Sequence, residues 1–388
     1  MKRVYLDYNA TTPTHSEVVK TILPYYEEIF GNALSVHQFG QQARKAIDEA
    51  REKVANFIGA KPEEIVFTSG GTEANNFAIK GIAYAREKRG RHIITSSIEH
   101  HAVLNPCKYL EKKGFKVTYL PVDGYGLIDP EDVKRAITRE TILITIMHAN
   151  NETGTIEPIA EMGKIAREKG IIFHTDAIQS VGKIPVDVNE LNVDLLSLSG
   201  HKIYGPKGIG ALFIRKGTKI EPLIHGGHHE RNRRAGTENV PAIVGLGKAV
   251  EVVAQKMEEE SQHLINLRNK LWKGIKEKID YVKLNGHPDK RLPNTLNVSF
   301  KFVEGESMIL NLDLKGIAVS TGSACTSGSL EPSHVLRAMK VEPAIAQGSI
   351  RFSLGKGNTE EDIEYVLEVL PEIVFRLRAM SPLYKRKK

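Results

Sequence analysis

Five apolar runs in this chain end on clusters of polar residues. Thr68-Ser69-Gly70-Gly71-Thr72-Glu73 follows IVF, and Glu99-His100-His101 follows HIITSSI. His148-Ala149-Asn150-Asn151-Glu152 follows LITIM, Asp176-Ala177-Ile178-Gln179 follows IIFHT, and Ser199-Gly200-His201-Lys202 follows LLSL. Open α/β sheets collect ligands at the carboxyl ends of their strands, so five such ends can share one crevice. Gly70-Gly71-Thr72 opens a helix directly after a strand, where free backbone N–H groups and the helix dipole favour an anion. A plain turn with a Ser/Thr cap is the competing reading. Lys202 precedes a Gly-Pro turn and reads either as an exposed lysine or as a desolvated amine available for Schiff-base chemistry. In the second case a pyridoxal ring nitrogen needs an acidic partner, and Asp176 sits at a suitable strand end. A nucleotide fold is the rival, but neither GxGxxG nor GxxxxGK[ST] stands in a strand–helix context.

Two cysteines carry different signals. Cys325 lies among Gly, Ser, Ala and Thr in STGSACTSGSLEPSHVL, a stretch with too little apolar surface to pack, which predicts an exposed, mobile loop. Its thiol is either incidental or a working nucleophile. Cys107 sits in an amphipathic helix and reads as packing. Arg351 alternates with apolar residues in GSIRFSLG; pointing inward, it would grip a carboxylate in a bidentate fork, and pointing outward it would be solvated. The histidine- and arginine-rich stretch His225–Asn239 lacks zinc-ligand spacing and reads as a phosphate or subunit-interface loop.

The elements that must position these groups follow from periodicity. Apolar runs at EEIVFT, HIITSS, KVTYLPV, TILITIM, IIFHT, VDLLSLS and IGALFI alternate with helical patterns such as Gln41–Ile58. Seven such strands predict an α/β fold with a mostly parallel sheet covered on both faces. Ala242–Ile279 reads as one long, mostly helical stretch. Beyond it, strands in 291–302, 317–320 and 348–353 alternate with helices in 307–314, 332–339 and 360–380, a smaller α+β domain. The expected division is 15–258 for the large domain, and 1–14 with 259–388 for the small one. With 388 residues the chain can bury its own core, and two cysteines make no disulfide framework, which predicts a cytoplasmic protein. The start MKRVYLDYNATTP has no signal-peptide core, and no run reaches the ~20 apolar residues of a membrane helix. The net charge of +7 is spread over mixed-charge helix faces, so neither nucleic acid nor membrane is expected as a partner.

Taken together, SGHKIYGPKGIGAL, TSGGTEANN, HANNETG, HTDAIQSVGK, RAGTENVP and STGSACTSGSLEPSHVL resemble the IscS/NifS-type cysteine desulfurases, class-V members of the aspartate-aminotransferase-like pyridoxal-phosphate fold type I. The resemblance runs over essentially the whole chain. It implies that Lys202 holds pyridoxal 5'-phosphate as a Schiff base and that Asp176 pairs with the ring nitrogen. Gln179 and Asn151 would face the phenolic oxygen or the substrate, and His100 would stack on the ring and help move protons. Gly71, Thr72, Ser199 and His201 would bind the phosphate. Thr237 would reach the phosphate in the partner subunit's site, which implies a homodimer. Arg351 would bind the substrate carboxylate and Cys325 would attack the substrate sulfur.

The implied reaction converts L-cysteine to L-alanine and leaves a persulfide on Cys325. The long Gly/Ser loop resembles the subgroup that passes sulfur to an iron–sulfur scaffold protein, with tRNA thiolation as another outlet. In some relatives this cysteine also ligates a 2Fe-2S cluster shared with the docked scaffold. Three positions depart from the family pattern. Asn32-Ala33-Leu34-Ser35 replaces Asn-Pro-Ser-Ser, Gly71 replaces a frequent alanine, and Lys340 replaces a common glycine.

Overall fold

The computed structural model describes residues 2–321, 332–382 and 384. Among them twelve strands form three sheets. In chain order they are β1 (Val4–Tyr5), β2 (Ile65–Thr68), β3 (His92–Ser96), β4 (Lys116–Leu120), β5 (Thr141–Thr145), β6 (Ile172–Asp176) and β7 (Leu195–Ser199). They continue with β8 (Gly210–Ile214), β9 (Val282–Asn285), β10 (Thr295–Phe300), β11 (Ile317–Ala318) and β12 (Ser349–Ser353).

All seven strands expected for the large sheet are present, in the order β2-β8-β7-β6-β5-β3-β4. Only β8 runs antiparallel to its neighbours. Most of these strands are buried on both faces, which explains their unbroken Ile, Leu, Val and Phe content. One apolar cluster, with Val54, Phe67, Phe173 and Leu246, packs on one side. A second, with Phe77, Ile82, Cys107 and Leu212, packs on the other. Cys107 is fully buried in that second layer, as its helical setting predicted. A third cluster gathers Leu267, Leu271, Phe300, Phe352 and Leu370 beneath the antiparallel sheet β12-β10-β9.

The N-terminal segment stitches these bodies together. Val4 and Leu6 pack in the third cluster, whereas Tyr8 packs in the first. β1 pairs in parallel with β11, and Asp7 bridges to Ser353 at the end of β12. Two residues of strand leave too little pattern to be read from sequence, and the half-exposed β9 was missed for the same reason. The long helical stretch differs from expectation. It is two helices, Val240–Ala254 and Met257–Lys278, broken at Lys256, whose φ of −134° and ψ of 9° leave the helical region. Glu258, Glu259 and Glu260 then supply an acidic first turn to the second helix. Lys340 has φ 58°, a left-handed conformation that suits the glycine common in relatives.

The stretch 225–239 is held down by a buried ion pair. Arg51, on the helix Gln38–Phe57, reaches Glu230 with two hydrogen bonds of 2.7 and 2.8 Å and also donates to the Ile65 carbonyl at 2.8 Å. The Phe67 N–H donates to the same carboxylate at 3.0 Å, and both side chains of the pair are 3% exposed. Glu230 adopts φ 45° to make these bonds. Removing one charge strands the other in a medium that cannot solvate it. Glu230→Gln is therefore expected to cost about 3–5 kcal/mol, read as a lower midpoint at unchanged slope in urea unfolding. A loss below ~1 kcal/mol would mean that the pair is solvated.

Candidate active site

Gly71, Thr72, His100, Asn151, Asp176, Gln179, Ser199, His201, Lys202 and Arg351 line one cavity of about 390 Å³. The five strand ends therefore converge, and β12 brings Arg351 from the smaller sheet. Thr237 is exposed and does not line the cavity of its own chain. Cys325 and its Gly/Ser surroundings lie outside the described residues.

The helix Gly71–Arg86 starts at Gly70, which has φ 150°, and no side chain caps it. A Cβ on Gly70 would meet nothing within 4 Å. The first-turn N–H groups are thus offered to an anion rather than to a serine or threonine. Glu73 is turned away from this cradle: its carboxylate accepts from Ser69 N–H at 2.7 Å and from Arg234 at 2.9 and 3.2 Å. The polar 225–239 stretch therefore supports the anion cradle from outside.

Asp176 ends β6 and is 5% exposed. It accepts from the Asn75 amide at 2.7 Å and from Ile178 N–H at 3.0 Å. Burial outweighs these contacts and the nearby Lys202 charge, and raises it above the usual carboxylate range. Such a carboxylate lacks a full counter-charge, and a protonated ring nitrogen supplies one. Lys202 lies on the short turn after β7 and donates to the carbonyls of Asn9 at 2.5 Å and Ala10 at 2.7 Å. His100 caps the helix His101–Glu111, its Nδ1 accepting from Ala102 N–H at 3.0 Å. The neutral ring therefore carries its proton on Nε2. Burial first, then the Lys202 charge, lowers His100 to about 4, and burial and Lys202 likewise bring His201 to about 4. Both rings are neutral near pH 7.

Arg351 points inward, 4% exposed. It donates to Asp7 at 2.8 Å and to the Asn151 carbonyl at 3.0 Å, while its buried Nε has no partner among the described residues. Sequence reasoning missed Asn9, Ala10, Asn75 and Lys183. Asn9 and Ala10 belong to a segment without periodicity, and only the fold shows that their carbonyls face Lys202.

Residues 4–366 match the Aminotransferase class-V family. The chain is 60% identical to a cysteine desulfurase IscS of Dictyoglomus turgidum over 387 residues, covering 100% of this chain and 98% of that relative. A solved NifS-like protein superposes with a TM-score of 0.92 at 44% identity, covering 97% of this chain and all of that one. A second structure, SspA in complex with cysteine, superposes with a TM-score of 0.82 at 42% identity, covering 92% of this chain and 100% of that one. The chain belongs to the IscS/NifS-type cysteine desulfurases. It has their fold type I architecture, as the resemblance implied. These desulfurases depend on pyridoxal phosphate, and the residues present fit that group: an uncapped helix start for the phosphate, a lysine amine, and a buried carboxylate short of counter-charge.

One further carboxyl borders the desulfurase site. Glu99, next to His100, is fully buried, accepts from Ser96 Oγ at 2.6 Å and Met147 N–H at 2.9 Å, and leaves Oε2 without a partner among the described residues. Burial raises it to about 8, against the two hydrogen bonds. The unfolded chain loses this proton from about pH 4.5 upward, the folded chain only near 8. The neutral carboxyl's stabilisation is therefore complete below the unfolded value and lost as pH rises through the folded one. A glutamine keeps the acceptor oxygen and never ionises. Thermal melts should show Glu99→Gln gaining on the wild type between pH 5 and 8, with no further gain above about pH 9. Parallel pH profiles would show that Glu99 is already ionised.

Proposed function

We infer that this chain is a cysteine desulfurase converting L-cysteine to L-alanine and holding the sulfur as a persulfide on Cys325. The observation that carries the reading is one cavity lined by the Lys202 amine, the buried Asp176 and the inward Arg351, beside an uncapped helix start. When bound, pyridoxal phosphate supplies an electron sink for the α-carbon of an amino acid. Gly71, Thr72, Ser199 and His201 bind its phosphate, and Asp176 pairs with its ring nitrogen. Gln179 and Asn151 face its phenolic side or the substrate.

The substrate carboxylate approaches the Arg351 guanidinium, which lines the cavity. The Asp7 contact holds the guanidinium in the cavity wall. The Lys202 amine would take up and return the α-proton, and His100 would assist from its Nε2 side. The Cys325 thiolate then attacks the substrate sulfur. The new S–S bond forms as the Cβ–S bond breaks, and its electron pair stays with the carbon skeleton, which takes up a proton and leaves as alanine.

The persulfide passes to an iron–sulfur scaffold protein, with a tRNA-thiolation acceptor as a second outlet. On a docked scaffold Cys325 also contributes a ligand to a 2Fe-2S cluster. The enzyme works as a homodimer in the cytoplasm, the exposed Thr237 reaching the partner subunit's phosphate. Residues 15–258 form the large domain, and 1–14 with 259–388 the small one; the helix break at Lys256 supports a boundary there. No helix among the described residues is long and apolar enough to cross a membrane.

The test is mass spectrometry of the purified enzyme after addition of cysteine. One extra sulfur is expected on the Cys325 peptide and none in Cys325→Ser. That variant should keep its cofactor absorbance and lose at least ~100-fold in alanine release, since removal of a nucleophile is rarely compensated. Undiminished turnover in Cys325→Ser would leave an enzyme of this fold without a persulfide mechanism.

A further inference from the structure

A second amine lies beside the cavity and has no part in the chemistry above. Lys183 stands on the turn after β6, four residues beyond Gln179. Its Nζ donates to Gln179 Oε1 at 2.7 Å and to Asn9 Oδ1 at 3.4 Å. Gln179 Nε2 in turn donates to the Asn9 carbonyl at 3.0 Å, the same oxygen that accepts from Lys202 Nζ at 2.5 Å. Asn294 Nδ2 holds the other end of Asn9 at 3.0 Å.

An ammonium or amine of lysine presents donors to an amide oxygen, so the contact identifies which end of Gln179 is oxygen. With Oε1 held by Lys183 and one Nε2 proton held by Asn9, the second Nε2 proton is the group that Gln179 can offer to a ligand. A flipped amide would place its oxygen there instead and repel an anionic oxygen. We propose that Lys183 is a positioning residue of the desulfurase reaction, fixing the Gln179 amide so that it presents N–H to the cofactor's phenolic oxygen and, through Asn9, fixing the seat of the Lys202 amine. The inference rests on the pyridoxal-phosphate reading above.

The electrostatic setting agrees. Burial, then the charges of Lys202 and Arg351, holds Lys183 well below the ordinary lysine range. The groups facing the two amines are Asp176 from β6, His100 from the helix start, His201 beside Lys202, and Arg351 from β12, itself paired with Asp7. Asp176 is the one buried acid of this set, and it already serves Asn75 and Ile178. Loss of Lys183 thus removes the amide clamp. An amide free to flip would withdraw its N–H from the cofactor's phenolic oxygen and make that oxygen harder to deprotonate.

The experiment is a pH titration of the visible absorbance of the holoenzyme, wild type against Lys183→Met, Lys183→Gln and Lys183→Arg. The midpoint should rise by about half a pH unit or more in Met. It should stay near the wild-type value in Arg, which keeps the donor and the charge, and fall between the two in Gln. Turnover of Lys183→Met should drop about tenfold in kcat with KM for cysteine little changed, as expected when an orienting bond is lost rather than a binding contact. An unmoved midpoint in a cofactor-loaded Met or Gln variant overturns the proposal and leaves Lys183 as packing, even if turnover or thermal stability falls. Should Met not fold, Gln carries the same decision. Absence of a pH-dependent visible band in the wild type itself would instead sink the cofactor reading.

Discussion

The site depends on keeping the Lys202 amine and the Asp176 carboxylate in one cavity, each on its own hydrogen-bond partners. Two opposite charges buried together in low dielectric would normally collapse into a contact pair. Here each is satisfied by fixed dipoles. The carbonyls of Asn9 and Ala10 receive Lys202, and the Asn75 amide with Ile178 N–H receives Asp176. That arrangement leaves the carboxylate available to a third charge. It also explains why the first dozen residues cross the molecule: only a non-periodic segment can turn two successive carbonyls onto one lysine.

The same segment makes the two halves of the molecule share one electrostatic problem. Asp7, two residues before Asn9, meets Arg351 from β12, and Asn9 itself bonds Ser353, Thr295 and Gln179. The large sheet therefore supplies Asp176 and Lys202 to the cavity, and the smaller sheet supplies Arg351. Around them the titrating groups are held uncharged: His100 and His201 are lowered to about 4, while Glu99 is raised to about 8. Two cationic side-chain types, Lys202 and Arg351, line the cavity with one acidic type, Asp176. This cationic excess suits a phosphate and an amino-acid carboxylate and disfavours a cationic substrate.

Much of this was legible because polar residues at strand ends interrupt strong apolar runs. Seven buried strands, the glycine turn at Gly70 and the polar clusters ending in Asp176, Gln179 and Lys202 all stand out against their neighbours. Arg351 could be placed in a strand, but not on a face, since alternation gives a period and not a direction. Asn9 and Lys183 were illegible for a different reason. Asn9 acts through contacts across about 170 to 290 positions, Lys183 meets Asn9 across 174, and neither belongs to a periodic element. The break at Lys256 was hidden because no glycine or proline marks it. Its cause is tertiary: Leu264, Leu267 and Leu271 of the second helix pack in a different apolar cluster from Val250 and Val253 of the first.

The anchoring of the segment that carries Cys325 links the thiol to the same constraint. On its N-terminal side, Ser320 and Arg351 exchange backbone hydrogen bonds of 2.7 and 3.3 Å. On its C-terminal side, Ser333 Oγ donates to the Glu152 carboxylate, and His334 Nε2 donates to the Glu99 carbonyl at 2.9 Å. All three anchor points are part of the cavity wall or adjoin it, because Arg351 lines the cavity, Glu152 follows Asn151 and Glu99 precedes His100. Arg351, whose side chain lines the cavity, is thus also the residue whose backbone holds Ser320.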